Sequence, residues 1–474
     1  MIGAGVGGLS AAIHLRLKGF DVVVLEAGSV AGGKAACIQI GDFRLDPGPS
    51  IIILPRIYER LFADAGRNMS DYLVFDRLDP ISRVYFEGQI IDLPASRQSC
   101  LELIKDKAPQ DAKSFQRLMA KLDKVSPHID KSVFAHPYNE PKDMADWHLV
   151  ATAMRFNVRL TYKSLVDQMF KTDLLRSFFY GFPSYGGQTY DSKAPGALMI
   201  PYLMIEEGVY YPRGGVGAIP IAFEKLAREL GVEFSFNEKV ESFVTSGGKV
   251  SSATSASGKI EGDVFVSNVD RLTTRGWLGQ TYDTPPSFSY FTVHWGFKER
   301  LDGLGHHCLV VPSGWQRGFE QLYRSRGFPD SPIVYLNETA GHDPTCAPPG
   351  GTNLFAVVTS PAMVTHIDWE AETPVYKERI VRTVNDAGIA LDPSGAVFER
   401  VQTPQYFQSQ HGNYRGSLYG PDEKFRLFGG MFPLRNQEEE FSNLFYCGGS
   451  VQPGAGLPMV TLSGRFAAEM AAKA

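Results

Sequence analysis

Several features that would assign a chain quickly are scarce or missing here. The cysteines, Cys37, Cys100, Cys308, Cys346 and Cys447, are scattered, odd in number and form no C-x-x-C pair. That pattern argues against a disulfide framework and for a reducing compartment, with all five read as structural. No uninterrupted apolar run approaches the ~18 residues a membrane-spanning helix needs. No basic segment leads into an apolar core and a small-residue cleavage site at the N-terminus. The expected location is the cytoplasm, with peripheral contact at the inner face of the membrane as an extension. Cations are not in excess, since 47 Lys+Arg face 52 Asp+Glu for a net charge of -5. Without a basic field, nucleic acid is excluded as a partner. No metal is expected, because His306-His307 lack further ligands at metal spacing. No Ser/His/Asp or Cys/His pattern announces a nucleophile, and no catalytic residue is named. The longest like-charge run, Glu438-Glu439-Glu440, reads as a solvated patch.

What is present is length and a large apolar fraction. With 474 residues, 43% of them hydrophobic, the chain can bury more than one core, and two interleaved domains are expected. It opens on Gly3-Ala4-Gly5-Val6-Gly7-Gly8, followed by a helix-periodic stretch from Leu9, a stop at Gly19 and an apolar strand ending at Leu25-Glu26. In a Gly-x-Gly-x-x-Gly turn, Gly3 makes the tight strand-to-helix turn, Gly5 lets backbone approach a pyrophosphate and Gly8 lets helix pack close to strand. Glu26, at the end of the second strand, stands where an acid accepts hydrogen bonds from ribose hydroxyls. Only Met1-Ile2 remain of the strand that should precede the glycines, so a longer native N-terminus is expected.

The segment after Glu26 narrows the dinucleotide to FAD. Ala27-Gly28-Ser29-Val30-Ala31-Gly32-Gly33-Lys34 adds a second glycine pair and a cation, suited to enclosing a pyrophosphate from its other side. At the far end, Asn443 to Tyr446 reads as a strand emptying into Cys447-Gly448-Gly449, and Gly454-Ala455-Gly456-Leu457-Pro458 precedes a final helix from about Met459 to Ala474. A helix N-terminus presents unpaired N–H groups and partial positive charge, which suits a flavin that gains negative charge on reduction.

Between these ends the rhythm changes. Mixed charged and aromatic helical segments fill roughly 100-205, α/β alternation returns from Gly215 to Asp270, and Ser287 to Phe297 and Asn353 to Val358 read as antiparallel strands. The Pro/Gly-rich stretch Gly341 to Gly351 is expected at the surface. The fold class is therefore α/β: a Rossmann-like FAD-binding domain interleaved with a mixed sheet plus a helical substrate domain. The expected boundaries are 1-80, 213-275 and 425-474 for the FAD domain. The substrate domain takes 81-212 and 276-424, with the helical insert at about 100-205 as the membrane-facing part.

Taken together, these stretches, with Asp46-Pro47-Gly48-Pro49-Ser50, Gly208 to Gly215 and Gly416 to Gly420, resemble the phytoene desaturase superfamily of FAD-dependent carotenoid desaturases and isomerases, within the amine-oxidase-like flavoproteins. The resemblance runs almost end to end. It implies that Glu26 and Ala27 lie at the adenosine ribose and that Gly3, Gly5, Gly7, Gly8, Gly33 and Lys34 lie along the pyrophosphate. It further implies that Pro49 and Ser50 lie near the flavin and that Val240 contacts the adenine region through its backbone. Gly448, Gly449, Pro458, Met459 and Val460 would frame the ribityl chain and ring. This chain departs from the family pattern in having Lys34 where Arg is usual, Met204 where an acid is expected and Gln452 before Pro453-Gly454.

The resemblance implies an oxidoreductase that desaturates or isomerises a long apolar isoprenoid, the flavin accepting hydride. A polyene saturase and an amine oxidase are the alternatives in the same frame. A non-catalytic flavin or lipid carrier is the alternative from another class. The aromatic group Phe178, Phe179, Tyr180, Phe182 and Tyr185 is expected to form part of an apolar substrate wall, and Arg155, Arg159, Lys163 and Lys171 to face anionic lipid.

Overall fold

The computed structural model describes residues 1–474 except Pro49, Asn157, Val158 and Thr365. The chain's first residues lie at the centre of a parallel sheet. Ile2 bridges in parallel to Leu25 on one side and Ser267 on the other, and Gly3 N donates to Leu25 O at 2.8 Å. Val23–Glu26 pairs outward with Glu233–Phe236, and Phe265–Ser267 with Leu444–Tyr446. The short lead strand thus fills the middle position, and the sheet gathers segments from the beginning, middle and end of the chain. An antiparallel meander, Val240–Ser246, Lys249–Ser255 and Gly258–Glu261, extends this unit.

Helices close over the parallel sheet because their sequences are apolar on nearly every side. Val6–Leu17 buries ten of its twelve residues, as expected of a helix enclosed by its neighbours. It packs directly on the final helix, Leu457–Ala471. That contact depends on glycine, since a Cβ on Gly464 would lie 2.3 Å from Gly7 O and 2.7 Å from Ala11 N.

The second sheet has seven strands in the order 398–402, 288–297, 352–361, 334–338, 307–311, 82–86 and 89–93. All neighbours are antiparallel except His307–Val311 with Ser82–Phe86. Because strand side chains alternate between faces, one face carries Phe291, Val293, Trp295, Val334, Leu336, Ala356 and Val358. These pack with Tyr376, Ile380 and Val384 of the Trp369–Asp386 helix. The other face carries Tyr290, Thr292, His307, Tyr335 and Val357 and looks into a cavity.

Short helices from Arg97–Lys107 to Met199–Glu206 form the insert. Several start at an oxygen-bearing side chain that accepts from the first turn: Ser96, Asp146, Thr161 and Thr172. The buried Asp111 carboxylate accepts from Lys171 N at 2.8 Å and Thr172 N at 2.9 Å, tying one helix start to a distant turn. Among the described residues no helix is long and apolar enough to cross a membrane.

Two expectations are corrected. Glu438-Glu439-Glu440 is solvated only at Glu439 and Glu440. The Glu438 side chain is fully buried, 3.3 Å from Arg275 Nε, and accepts from Tyr446 OH at 2.5 Å, while Glu439 pairs with the buried Arg271. The two arginines come from the Arg271–Gly276 helix, a distant partner that a local charge pattern does not display. The 341–351 loop is only partly at the surface, because Cys346 and Ala347 are buried against Phe43 and Leu45.

Candidate functional site

One cavity of about 1810 Å³ runs from the glycine turn, across the floor of the seven-stranded sheet, into the helical insert. At its dinucleotide end, Glu26 is fixed by two backbone donors. Its Oε2 accepts from Ala4 N at 2.6 Å and its Oε1 from Gly28 N at 2.8 Å. A carboxylate offers about four acceptor sites, so Glu26 keeps capacity for the hydroxyls of a sugar lying along the cavity. Ala27 and Val240 line the same end.

Beside it the Val6–Leu17 helix points its N-terminus at the cavity. Its N-cap, Gly5, has no side chain to satisfy the first N–H groups, and no acid occupies the first turn. Gly3 has φ +88, and a Cβ on Gly5 would stand 2.5 Å from Asn268 Oδ1. Gly33 (φ +56) rests on Gly5, where its Cβ would be 3.3 Å from Gly5 Cα. The result is two glycine turns in contact with unpaired donors facing open space, a ready anion cradle. Lys34 completes it. Its Nζ donates to Asn413 Oδ1 at 3.1 Å, burial lowers its pKa, and Asp270 partly opposes that shift. The Asp270 carboxyl is itself pushed up to about 6 by burial, and its Oδ2 has no protein partner.

At the other end of the cradle, the Leu457–Ala471 helix starts from Gly456, again without a side-chain cap or first-turn acid, with Pro458 in its first turn. Gly448 has φ +113, and its Cβ would meet Asn268 Nδ2 at 2.8 Å. Gly449, Pro458, Met459 and Val460 line the cavity here, and Ser50 lines it too.

The structure therefore brings Gly3, Gly5, Gly7, Glu26, Ala27, Gly33, Lys34, Ser50, Val240, Gly448, Gly449, Pro458, Met459 and Val460 onto the lining of one cavity. Gly8 is not on that lining. It sits beneath the turn, where a Cβ would lie 2.1 Å from Gly3 O, so its role is close packing. Pro49 lies outside the described residues. The residues present fit FAD: a carboxylate with acceptor capacity left for a ribose, two bare helix N-termini and a lysine, all on the lining of one cavity. Bound there, the flavin would supply two-electron redox chemistry, while the chain orients it and keeps water away.

Sequence reasoning missed Asn268. It stands between the Gly3–Gly8 turn and Gly448 and donates to Cys447 O at 3.2 Å. Its clue was position, just past the carboxyl end of the parallel strand Phe265–Ser267, where ligands of such sheets bind. Also missed were the floor residues Tyr335, His307, Tyr290, Tyr419, Thr292 and Gln402. Ser50 Oγ and Tyr335 OH are 2.7 Å apart, Tyr335 OH and His307 Nδ1 2.7 Å, Tyr290 OH and Tyr419 OH 2.8 Å, and Thr292 Oγ1 and Gln402 Oε1 2.9 Å.

The aromatic wall divides: Phe178, Phe182 and Tyr185 line the cavity, whereas Phe179 and Tyr180 belong to the insert's core. Met204 faces the cavity. The neighbouring acids pair elsewhere, Glu206 with Arg97 at 2.5 Å and Glu207 with Arg56 at 3.0 Å. Gln452 ties insert to cradle, its Oε1 accepting from Tyr138 N at 2.6 Å and its Nε2 donating to Tyr138 O at 2.7 Å. Among the described lining residues the acids are Glu26 and Glu238, both at the dinucleotide end.

A family model described as flavin containing amine oxidoreductase matches residues 6–471. A zeta-carotene-forming phytoene desaturase of Myxococcus xanthus is 29% identical, over 99% of this chain and 92% of its own length. A 4,4'-diaponeurosporene oxygenase of Staphylococcus haemolyticus is 28% identical, over 99% and 96%. Among solved structures, an oxidoreductase from Methanosarcina mazei has a TM-score of 0.64 at 15% identity, covering 98% of this chain and 97% of its own. Cyclohexylamine oxidase from Brevibacterium oxydans has a TM-score of 0.59 at 16% identity, covering 100% and 98%. These two likenesses concern the fold.

Proposed function

The chain belongs to the flavin-containing amine oxidoreductase family and is an FAD-dependent oxidoreductase, and from that premise we propose that it desaturates or isomerises a carotenoid-like isoprenoid. The observation that carries this reading is the cavity itself, which continues from the dinucleotide cradle into an apolar passage lined by Phe178, Phe182, Leu203 and Met204. A long hydrocarbon needs such a passage, since it has no polar groups to match. An amine substrate is less well served: beyond the dinucleotide end the described lining holds no carboxylate to receive an ammonium. The named carotenoid desaturase and oxygenase relatives point the same way.

A polyene precursor resides in a bilayer, so we extend the proposal to peripheral docking at the inner face of the membrane. In the Trp147–Arg155 helix, Leu149 and Ala153 line the cavity, while Trp147 and Met154 are 65% and 75% exposed. Large apolar side chains left in solvent beside a passage for an apolar substrate suit an interfacial helix. Of the cations first assigned to lipid, Lys163 is engaged by Asp167 at 2.5 Å. The test of the function is co-expression in cells making phytoene and its derivatives, followed by pigment analysis. New chromophore lengths or geometric isomers are expected, and unchanged pigments across the set would remove the carotenoid reading.

A further inference from the structure

The floor of the cavity holds a buried histidine that the FAD site does not use. His307 is 2% exposed and lies on the cavity lining. Its Nδ1 is 2.7 Å from Tyr335 OH, which is 2.7 Å from Ser50 Oγ. Asn337 Nδ2, which donates to His306 O at 2.7 Å, also stands 3.3 Å from His307 Nδ1. An amide N–H can only donate. His307 Nδ1 is therefore the acceptor, Tyr335 OH donates to it, and Ser50 Oγ donates to Tyr335. Every link points from the cavity inward. Burial holds His307 well below the usual histidine range, so it rests neutral with Nδ1 free to accept.

The path continues outward. The His306 ring stands edge-on to His307 with centroids 4.5 Å apart, and His342 lies 5.6 Å beyond His306. His307 Nε2 and His306 Nδ1 are both buried without a protein hydrogen-bond partner. His342 Nε2 lies 3.7 Å from the Asp76 carboxylate, nearer the surface.

We propose that Ser50, Tyr335 and His307 form a proton relay that carries the substrate's proton from the cavity to the protein surface through His306 and His342. The proposal rests on the desaturase reading. Two adjacent C–H bonds of the substrate break and a C=C bond forms. Oxidised FAD bound at the cradle would take the hydride with both electrons of its bond. The remaining proton goes to the Ser50 oxygen as the hydroxyl proton of Ser50 moves to the Tyr335 oxygen and the phenolic proton moves to His307 Nδ1. The positive charge on the imidazole would offset the negative charge that a flavin acquires on reduction. General base assistance of this kind contributes about 10²-fold or more.

The test uses the FAD-loaded protein with an isoprenoid precursor under argon, following bleaching of the flavin absorbance. Tyr335→Phe, which removes one oxygen, should keep the flavin spectrum and substrate affinity and slow bleaching about 100-fold. Should that variant not fold, Ser50→Ala carries the same expectation for a slowed rate with cofactor retained. A second readout needs no turnover: in ¹⁵N-histidine-labelled protein, the Nδ1 resonance of His307 should report an unprotonated acceptor and shift on Tyr335→Phe. Bleaching within threefold of wild type, loss of FAD by the variant, or an unmoved His307 resonance would overturn the relay. If no isoprenoid bleaches the wild-type flavin, the desaturase reading and the relay's proton source fail together. An unmoved resonance with normal wild-type bleaching removes the relay alone.

Discussion

The dinucleotide cradle and the sheet floor face the same cavity but are made of different parts of the residue. Along the cradle the contact surface is backbone: two bare helix N-termini, touching glycine turns, and one acid held by Ala4 and Gly28 N–H groups. Along the floor it is side chain, with Tyr290, Thr292, His307 and Tyr335 projecting from neighbouring strands and joined to partners far away in sequence. A backbone site tolerates no added atom, because nothing can rotate aside. A side-chain site tolerates loss of one group more easily and can be retuned for another substrate.

The largest expected effect tests the first half of that contrast. Gly464→Val drives a Cβ against Gly7 O, 2.3 Å from its ideal position, and should cost more than about 3 kcal/mol by overpacking. Thermal melting and the flavin absorbance retained through purification would read it. A melting temperature within a few degrees of wild type, with cofactor retained, would mean that the two helices can part and that the cradle is softer than described. Next, Gln452→Ala leaves Tyr138 N and O without their buried partners, for an expected loss of about 2 kcal/mol in urea unfolding. Faster hydrogen exchange should appear around Tyr138. On the floor, Thr292→Val removes a single hydrogen bond to Gln402 and should cost about 1 kcal/mol with FAD binding unchanged.

The smallest expected effect separates the two regions by acid response. On the floor sheet, burial holds His294, stacked on Phe355 at 4.2 Å, down to about 3. Its contribution to stability is full above 6.5 and is lost as pH falls toward 3. At the cradle, Asp270 is raised from 3.8 to about 6. Its charged form opposes folding at neutral pH, and that penalty is relieved as pH drops through 6 toward 3.8. His294→Phe should therefore flatten the fall of melting temperature on acidification, and Asp270→Asn should steepen it. Parallel changes in the two variants would break the comparison.

The same contrast explains what was legible in the sequence. Backbone sites leave local marks, so the Gly3 to Gly8 turn, Glu26, the Gly32-Gly33-Lys34 segment and the closing helix are visible as spacing, and the structure brings them to one cavity. Gly8 is visible too, though as packing beneath the turn rather than as part of the lining. The two-residue lead strand at Met1-Ile2 looks too short to matter, yet parallel neighbours on both sides hold Ile2 in place. Asn268, the Ser50–Tyr335–His307 chain and the Glu438–Arg271–Arg275 cluster depend on partners tens to hundreds of residues away. A local pattern carries no record of such pairings. Glu438 read as solvated for that reason, and His306-His307 as an unremarkable pair.

The central claim is that a flavin held at the cradle oxidises an apolar chain lying over the floor. It is tested most directly by anaerobic titration of the purified FAD-loaded protein with an acyclic polyene precursor in detergent micelles and, separately, with a primary alkylamine. The account predicts that the polyene bleaches the flavin and yields a product with a longer conjugated system, while the amine leaves the spectrum unchanged. Bleaching by the amine and none by the polyene would contradict it.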